Sequence, residues 1–170
     1  MWGRGPRVQR MGDIVHIASQ RVFRRDSSER ESIREFLAVM LAGQTYGVEL
    51  TRIREILSPP PLTTVPRAPQ HVMGVCSVRG QLITVIDLRS RLRLQQAPFT
   101  RKTRILLTEN AGEIVGLYVD EVRQVLRLTD SEIELATGVF GNDVSEHVIG
   151  IGRPPGYVLV LLDLTSIVPR

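Results

Sequence analysis

One cysteine, one tryptophan, three tyrosines and four phenylalanines in 170 residues exclude several ways of building a small protein. Cys76 alone can form no internal disulfide, so the fold needs no covalent staple and suits a reducing compartment. With aromatics at 5 % of the chain, a core must be assembled from Val, Ile and Leu, and 42 % hydrophobic residues supply enough of them. No apolar run approaches the roughly 20 residues a membrane-spanning helix needs. The basic start Met1-Trp2-Gly3-Arg4 leads into no apolar signal-peptide segment, and Met11 is a second candidate start. A cytoplasmic location without membrane insertion is expected.

Reactive groups are equally scarce. His16, His71 and His147 are far apart in the chain, and a single cysteine offers no metal-ligand spacing. Gly150 to Gly156 has the wrong glycine spacing for a phosphate loop, and its prolines remove the N–H donors that a phosphate requires. Cys76 sits mid-strand and reads as a packed thiol. Asp120-Glu121 falls between two strands and reads as a solvated turn. These residues indicate no catalytic site, no metal and no cofactor, so an enzyme is not expected.

An excess of positive charge is missing from the body. Of 22 basic and 18 acidic residues, residues 1–34 hold eight arginines and four acids, which leaves 14 of each in 35–170. The whole excess of +4 therefore lies in an Arg-, Ser- and Glu-rich extension, expected to be disordered apart from a short helix over Ser28–Arg34. A β-barrel that binds nucleic acid through this arm is the alternative function. Such barrels set exposed aromatics over a basic groove, and a neutral, aromatic-poor body argues against nucleic acid as a partner.

What the chain does contain is a duplication. At an offset of 76, Gly74, Gly80, Asp87 and Leu88 fall on Gly150, Gly156, Asp163 and Leu164. Apolar strands follow the matched turn glycines: Leu82–Ile86 in one copy, Tyr157–Leu162 in the other. Arg79-Gly80-Gln81 and Pro154-Pro155-Gly156 form their turns. Both strands are apolar on both faces, with Leu82 and Ile86 opposite Ile83 and Val85. Covering both faces requires two packed β units with a shared wall. Asp87 and Asp163 close equivalent strands and are assigned the structural role of helix caps.

The remaining segments fit an all-β body of about nine strands with short helices. Phe36–Leu41 and Tyr46–Leu50 read as strands around an Ala42-Gly43-Gln44 turn. Thr51–Leu57 reads as a short helix capped by Thr51, ended by Pro59-Pro60-Pro61. Residues 58–70 are a stiff connection, and Leu88–Leu94 a short helix. After the polar linker 95–102 come strands at 104–108, 114–119 and 122–128. Asp130–Ala136 is read as one helical turn, 137–146 as loop, and 164–168 as a closing helix.

Gly74-Val75-Cys76-Ser77-Val78-Arg79-Gly80, with its strand ending in Val85-Ile86-Asp87-Leu88, resembles the signature of the CheW family of bacterial chemotaxis coupling proteins. The likeness runs over residues 36–168, including Tyr46-Gly47-Val48, Ile53-Arg54-Glu55-Ile56, Val65-Pro66 and Asp163-Leu164. The resemblance implies two interlocked SH3-like five-stranded β-barrels forming one domain, 35–170, approximately 36–98 and 99–168 with strands partly exchanged. It implies a non-enzymatic adaptor between the cytoplasmic tips of chemoreceptors and the regulatory domain of a CheA-type histidine kinase, in arrays serving chemotaxis or twitching motility. Protein-binding positions carried over are Ile53, Glu55 and Ile56 in the first barrel, and Gly74, Val75, Ser77, Arg79 and Gly80 in the signature hairpin. Ser77 stands where the family has Asn, and Thr84 where it has Pro. The hydroxyl has less hydrogen-bonding capacity than the amide, whereas Thr84 restores a backbone donor to the strand.

Overall fold

The computed structural model describes residues 31–140 and 146–168. Eleven strands form among them: β1 Ile33–Leu41, β2 Gln44–Glu49, β3 Ile53–Leu57, β4 Val72–Val78, β5 Gln81–Asp87, β6 Arg104–Asn110, β7 Glu113–Val119, β8 Glu121–Thr129, β9 Ile133–Leu135, β10 Val148–Gly152 and β11 Leu159–Leu162. Three hairpins close through two-residue turns, Ala42-Gly43, Arg79-Gly80 and Ala111-Gly112. In each, both residues have positive φ, between 50° and 82°. That geometry continues the right-handed strand twist, and the second position goes to glycine because it has no Cβ to clash.

The strands form a six-stranded sheet, β8-β1-β2-β11-β10-β9, and a five-stranded sheet, β3-β6-β7-β5-β4. Each is the wall of an SH3-like barrel. The five-stranded sheet is continuous in sequence from Ile53 to Val119, while the other combines β1 and β2 with β8 to β11. Residues 98 and 99 therefore lie between two strands of the same sheet. Each wall is closed by one parallel pair: Val85 beside Gly116 on β5 and β7, Leu161 beside Gly47 on β11 and β2.

The duplication is visible in backbone detail. Val72 pairs with Ile86 and, after a one-residue bulge, Gly74 pairs with Val85; Val148 pairs with Leu162 and, after the same bulge, Gly150 pairs with Leu161. Asp87 N–H donates to the His71 carbonyl at 2.8 Å, and Asp163 N–H to the His147 carbonyl at 2.8 Å. The copies differ at the tip, where a connection over 153–158 replaces the two-residue turn and β11 begins only at Leu159.

Burial follows the alternation of the strands. Ile83, Val85, Ile105, Leu107, Tyr118 and Cys76 fill one barrel, and Phe36, Leu128, Leu159 and Leu161 the other. On the opposite faces, Leu37, Val39, Val48, Ile86, Leu106, Leu117 and Leu162 are also at most 1 % exposed, the shared apolar layer expected between the barrels. Each fully buried Leu or Ile side chain contributes about 1.5–3 kcal/mol by leaving water. The two-faced burial stops short of the strand ends. Leu82 is 75 % exposed and its repeat counterpart Val158 is 63 % exposed, because both lie beyond the part of each wall that the other sheet covers.

Four local expectations are corrected. Thr51–Leu57 is not a helix: Leu50–Arg52 is a 3₁₀ turn preceded by Glu49 without a side-chain cap, and Ile53–Leu57 is β3. A two-turn helix is marginal alone, whereas β-branched Ile53 and Ile56 fit the free edge of β6. Asp130–Ala136 divides into a 3₁₀ turn at Asp130–Glu132 and β9, where β10 supplies a partner. Residues 137–140, expected as loop, belong to a helix, Ala136–Phe140. Of the helix expected over Ser28–Arg34, Ile33 and Arg34 belong to β1 and residues 28–30 lie outside the described residues. The short helices Leu88–Arg91 and Leu164–Ile167 follow Asp87 and Asp163, whose carboxylates accept the N–H groups of Arg89 and Thr165, each at 2.9 Å.

Candidate docking surface

The β4–β5 hairpin brings together residues that are distant in sequence. Arg79, with φ 50° at the turn, directs its guanidinium at Glu55 on β3. Nη1 donates to Oε2 at 2.7 Å and Nη2 to the other oxygen, so the pair is bidentate. The bond to Glu55 raises the Arg79 pKa further, so the cation is permanent. The Arg79 side chain is 71 % exposed and that of Glu55 26 %. The two therefore form one solvent-facing unit, and Arg79 is not the unpaired anchor that its place in a turn suggests.

Other expected positions divide between surface and support. Ser77 and Gly80 are exposed and Val75 and Ile56 are half-buried. Ile53 is only 6 % exposed, so it anchors β3 in the core, while Glu55 and Ile56, adjacent on the strand and therefore on opposite faces, are both half-buried. Gly74 is buried with φ 153°, and a Cβ there would lie 2.4 Å from the Thr63 carbonyl oxygen. Its backbone permits Thr63 and Val75 to exchange hydrogen bonds at 2.8 and 2.9 Å, which pins the proline-rich connection against β4. Gly74 shapes this surface from beneath. Leu82, opposite Ser77 in register and assigned to the core by its apolar neighbours, joins the exposed face instead. Its place one residue beyond the turn was the signal for that.

Asp120 is likewise no solvated turn residue. Its carboxylate accepts Arg89 Nε at 2.7 Å and Ala42 N–H at 2.8 Å, and it also takes an Arg89 Nη. This ion pair raises the Arg89 pKa and ties the helical turn after β5 to the β1–β2 turn of the other sheet. Arg91 makes a second tie, donating to the carbonyls of Ile167 at 3.0 Å and Ser166 at 3.4 Å. His71 and His147, 76 residues apart, both feel that guanidinium. Burial first, then Arg91, lowers each imidazole pKa, and Glu146 and Asp163 partly oppose this at His147. His147 Nδ1 lies 3.0 Å from Ser166 Oγ. Cys76 is 4 % exposed, and burial pushes its thiol pKa up. Among the described residues no three acids, histidines or cysteines converge as a metal site, and no helix is long and apolar enough to cross a membrane.

The CheW-like domain model matches residues 35–170, four-fifths of the chain. The chain belongs to the CheW-like domain family. It is 34 % identical over 134 residues to the probable chemotaxis protein CheW of Rhizobium etli, covering 79 % of this chain and 86 % of that one. It is 29 % identical over 136 residues to the chemotaxis protein CheW of Rhizobium meliloti, covering 80 % and 88 %. In fold it is similar to the scaffolding protein TtCheW of Thermoanaerobacter tengcongensis, with a TM-score of 0.72 at 24 % identity over 80 % of this chain and 92 % of that one. Proteins of this family are adaptors, not enzymes, and the chain is a non-enzymatic adaptor of the chemotaxis and motility type.

Proposed function

We propose that the chain couples the cytoplasmic tips of chemoreceptors to the regulatory domain of a CheA-type histidine kinase, in the cytoplasm at a receptor array. The observation that carries this reading is the β4–β5 hairpin, whose turn residue Arg79 forms a bidentate pair with Glu55 and whose Leu82 is exposed. A planar charged pair and an exposed apolar side chain on one hairpin give a protein partner both orientation and buried area. In this reading Val75, Ser77, Arg79 and Gly80 face the receptor, with Gly74 holding the hairpin in shape. Glu55 and Ile56 serve partner contact on the neighbouring β3, supported by Ile53.

The test is co-purification of the full chain with a receptor-tip fragment and with the regulatory domain of a CheA-type kinase. Binding to both is expected, and the receptor interaction should weaken in Arg79→Ala and Leu82→Asp. Failure to retain either partner would reject the coupling role.

A further inference from the structure

Residues 88–108 contain six cations, Arg89, Arg91, Arg93, Arg101, Lys102 and Arg104, and no acid, within a body, 35–170, that balances only because the rest of it carries 8 basic and 14 acidic residues. Two of these have structural duties already described, Arg89 on Asp120 and Arg91 on the carbonyls of residues 166 and 167. Among the described residues, no carboxylate lies within ion-pair distance of Arg93, Arg101 or Arg104, and Lys102 reaches Glu121 only at 3.7 Å.

The stretch between the helical turn and β6, residues 92–103, has no regular structure, yet side-chain and backbone contacts hold it at Gln95 and over 99–103. Arg89 Nη1 donates to the Gln95 carbonyl at 2.6 Å. Thr100 N–H donates to Thr103 Oγ1 at 3.0 Å, and Lys102 N–H to Thr100 Oγ1 at 3.2 Å. Arg104 Nη1 donates to the Arg101 carbonyl at 2.8 Å. Phe99 packs edge-on against Tyr118 with ring centroids 4.8 Å apart, yet stays 55 % exposed. Tyr118 pairs in register with Ile105 in the barrel core, so Phe99 packs at the margin of that core, two residues before exposed Arg101 and Lys102. A structureless connection of about this length in a compact domain is usually either functional or a disordered linker; the contacts above order this one, and a preordered loop loses little entropy on binding.

We propose that residues 97–104 form a second docking face, separate from the hairpin, for an acidic protein segment carrying an apolar residue that packs on Phe99. Carboxylates on such a segment match the uncompensated guanidinium groups, and Phe99 supplies an aromatic anchor of the kind concentrated in protein interfaces. Protein is favoured over nucleic acid because a single exposed ring offers no stacking series for successive bases. It is favoured over lipid because Phe99 rests on Tyr118 instead of projecting free.

The test uses the full chain and a synthetic Glu- and Asp-rich peptide with one central leucine, read by titration and by amide hydrogen exchange. Protection is expected to centre on residues 97–104. Affinity should fall at least about tenfold in the Arg101→Glu, Lys102→Glu, Arg104→Glu triple variant. The neutral pair Arg101→Gln, Lys102→Gln, which adds no repulsion, should weaken binding in the same direction. Phe99→Ala should weaken it severalfold without altering charge, and Arg127→Glu with Arg153→Glu, whose partners are Glu35 and Glu134, should leave it unchanged. Residues 1–34 are present in every variant, so differences report on the loop alone. Unchanged affinity in the loop variants, protection located elsewhere, or stronger protection of the same residues by duplex DNA or phosphatidylglycerol vesicles would overturn the proposal.

Discussion

At the scale of single residues, the candidate site depends on where side chains are held more than on which they are. Arg79 and Glu55 are both solvent-facing, so their ion pair adds little to stability and orients the hairpin tip. Arg79→Ala should leave the melting temperature within about 3 °C of the parent while weakening receptor binding. A large drop in melting temperature would show a structural role instead. Gly74→Ala is the opposite case. A methyl group 2.4 Å from the Thr63 oxygen, at φ 153°, forces the 62–64 segment off β4, at a cost of about 2–4 kcal/mol in chemical denaturation. Gly150→Ala should cost a similar amount, since its Cβ would lie 2.3 Å from the Glu134 oxygen. His71 and His147 have folded pKa values lowered from 6.5, so the unfolded chain binds protons first. Their contribution is therefore complete above about pH 6.5 and is lost as pH falls through and below that value. Melting temperature should decline between pH 7.5 and 5, less steeply in His147→Gln, and an identical slope in that variant would exclude His147 as a source.

At the scale of elements, local pattern and turn chemistry were read correctly where they agreed with the tertiary demand. The hairpins at Ala42-Gly43 and Arg79-Gly80 were legible because glycine marks the positive φ that a two-residue turn requires. The paired caps at Asp87 and Asp163 were legible because the duplication placed both at strand ends. Asp87 is 4 % exposed, so Asp87→Ala should cost about 1–2 kcal/mol in urea unfolding, and the more exposed Asp163→Ala about 0.5–1 kcal/mol. Equal and negligible losses would show that the caps do not hold these helical turns. Segment 51–57 went the other way. Its apolar spacing fits a short helix, but the open edge of β6 offers it a full ladder of hydrogen bonds, and a long-range partner cannot be read from a seven-residue window.

At the scale of the whole molecule, the five-stranded sheet is inserted in sequence between β2 and β8 of the other sheet, so the domain cannot be divided at the linker. The six-stranded wall needs β1 and β2 from the start of the domain and β8 to β11 from its end. The five-stranded wall needs strands from both sides of residue 98. Fragments 36–98 and 99–168 should each fail to unfold cooperatively, whereas the full chain should show one transition, because both walls share an apolar layer. A cooperative melt from either fragment would contradict this arrangement. Asp120 adds a polar tie between the sheets. Asp120→Ala leaves the largely buried Arg89 guanidinium and the Ala42 N–H without their acceptor, at a cost of about 2–4 kcal/mol.

The amino-acid sequence alone determined the β class, the duplicated hairpin, the turn positions, the inert thiol and the absence of charge excess from the body. All of these follow from residue type and short spacing. Only the tertiary structure decided that Arg79 would meet Glu55, that Asp120 would meet Arg89, that Arg91 would lie near both His71 and His147, and that Leu82 would stay in water. Those outcomes depend on how far one sheet overlaps the other and on which strand ends become neighbours. Chain segments dozens of residues apart set both, so no local pattern records them.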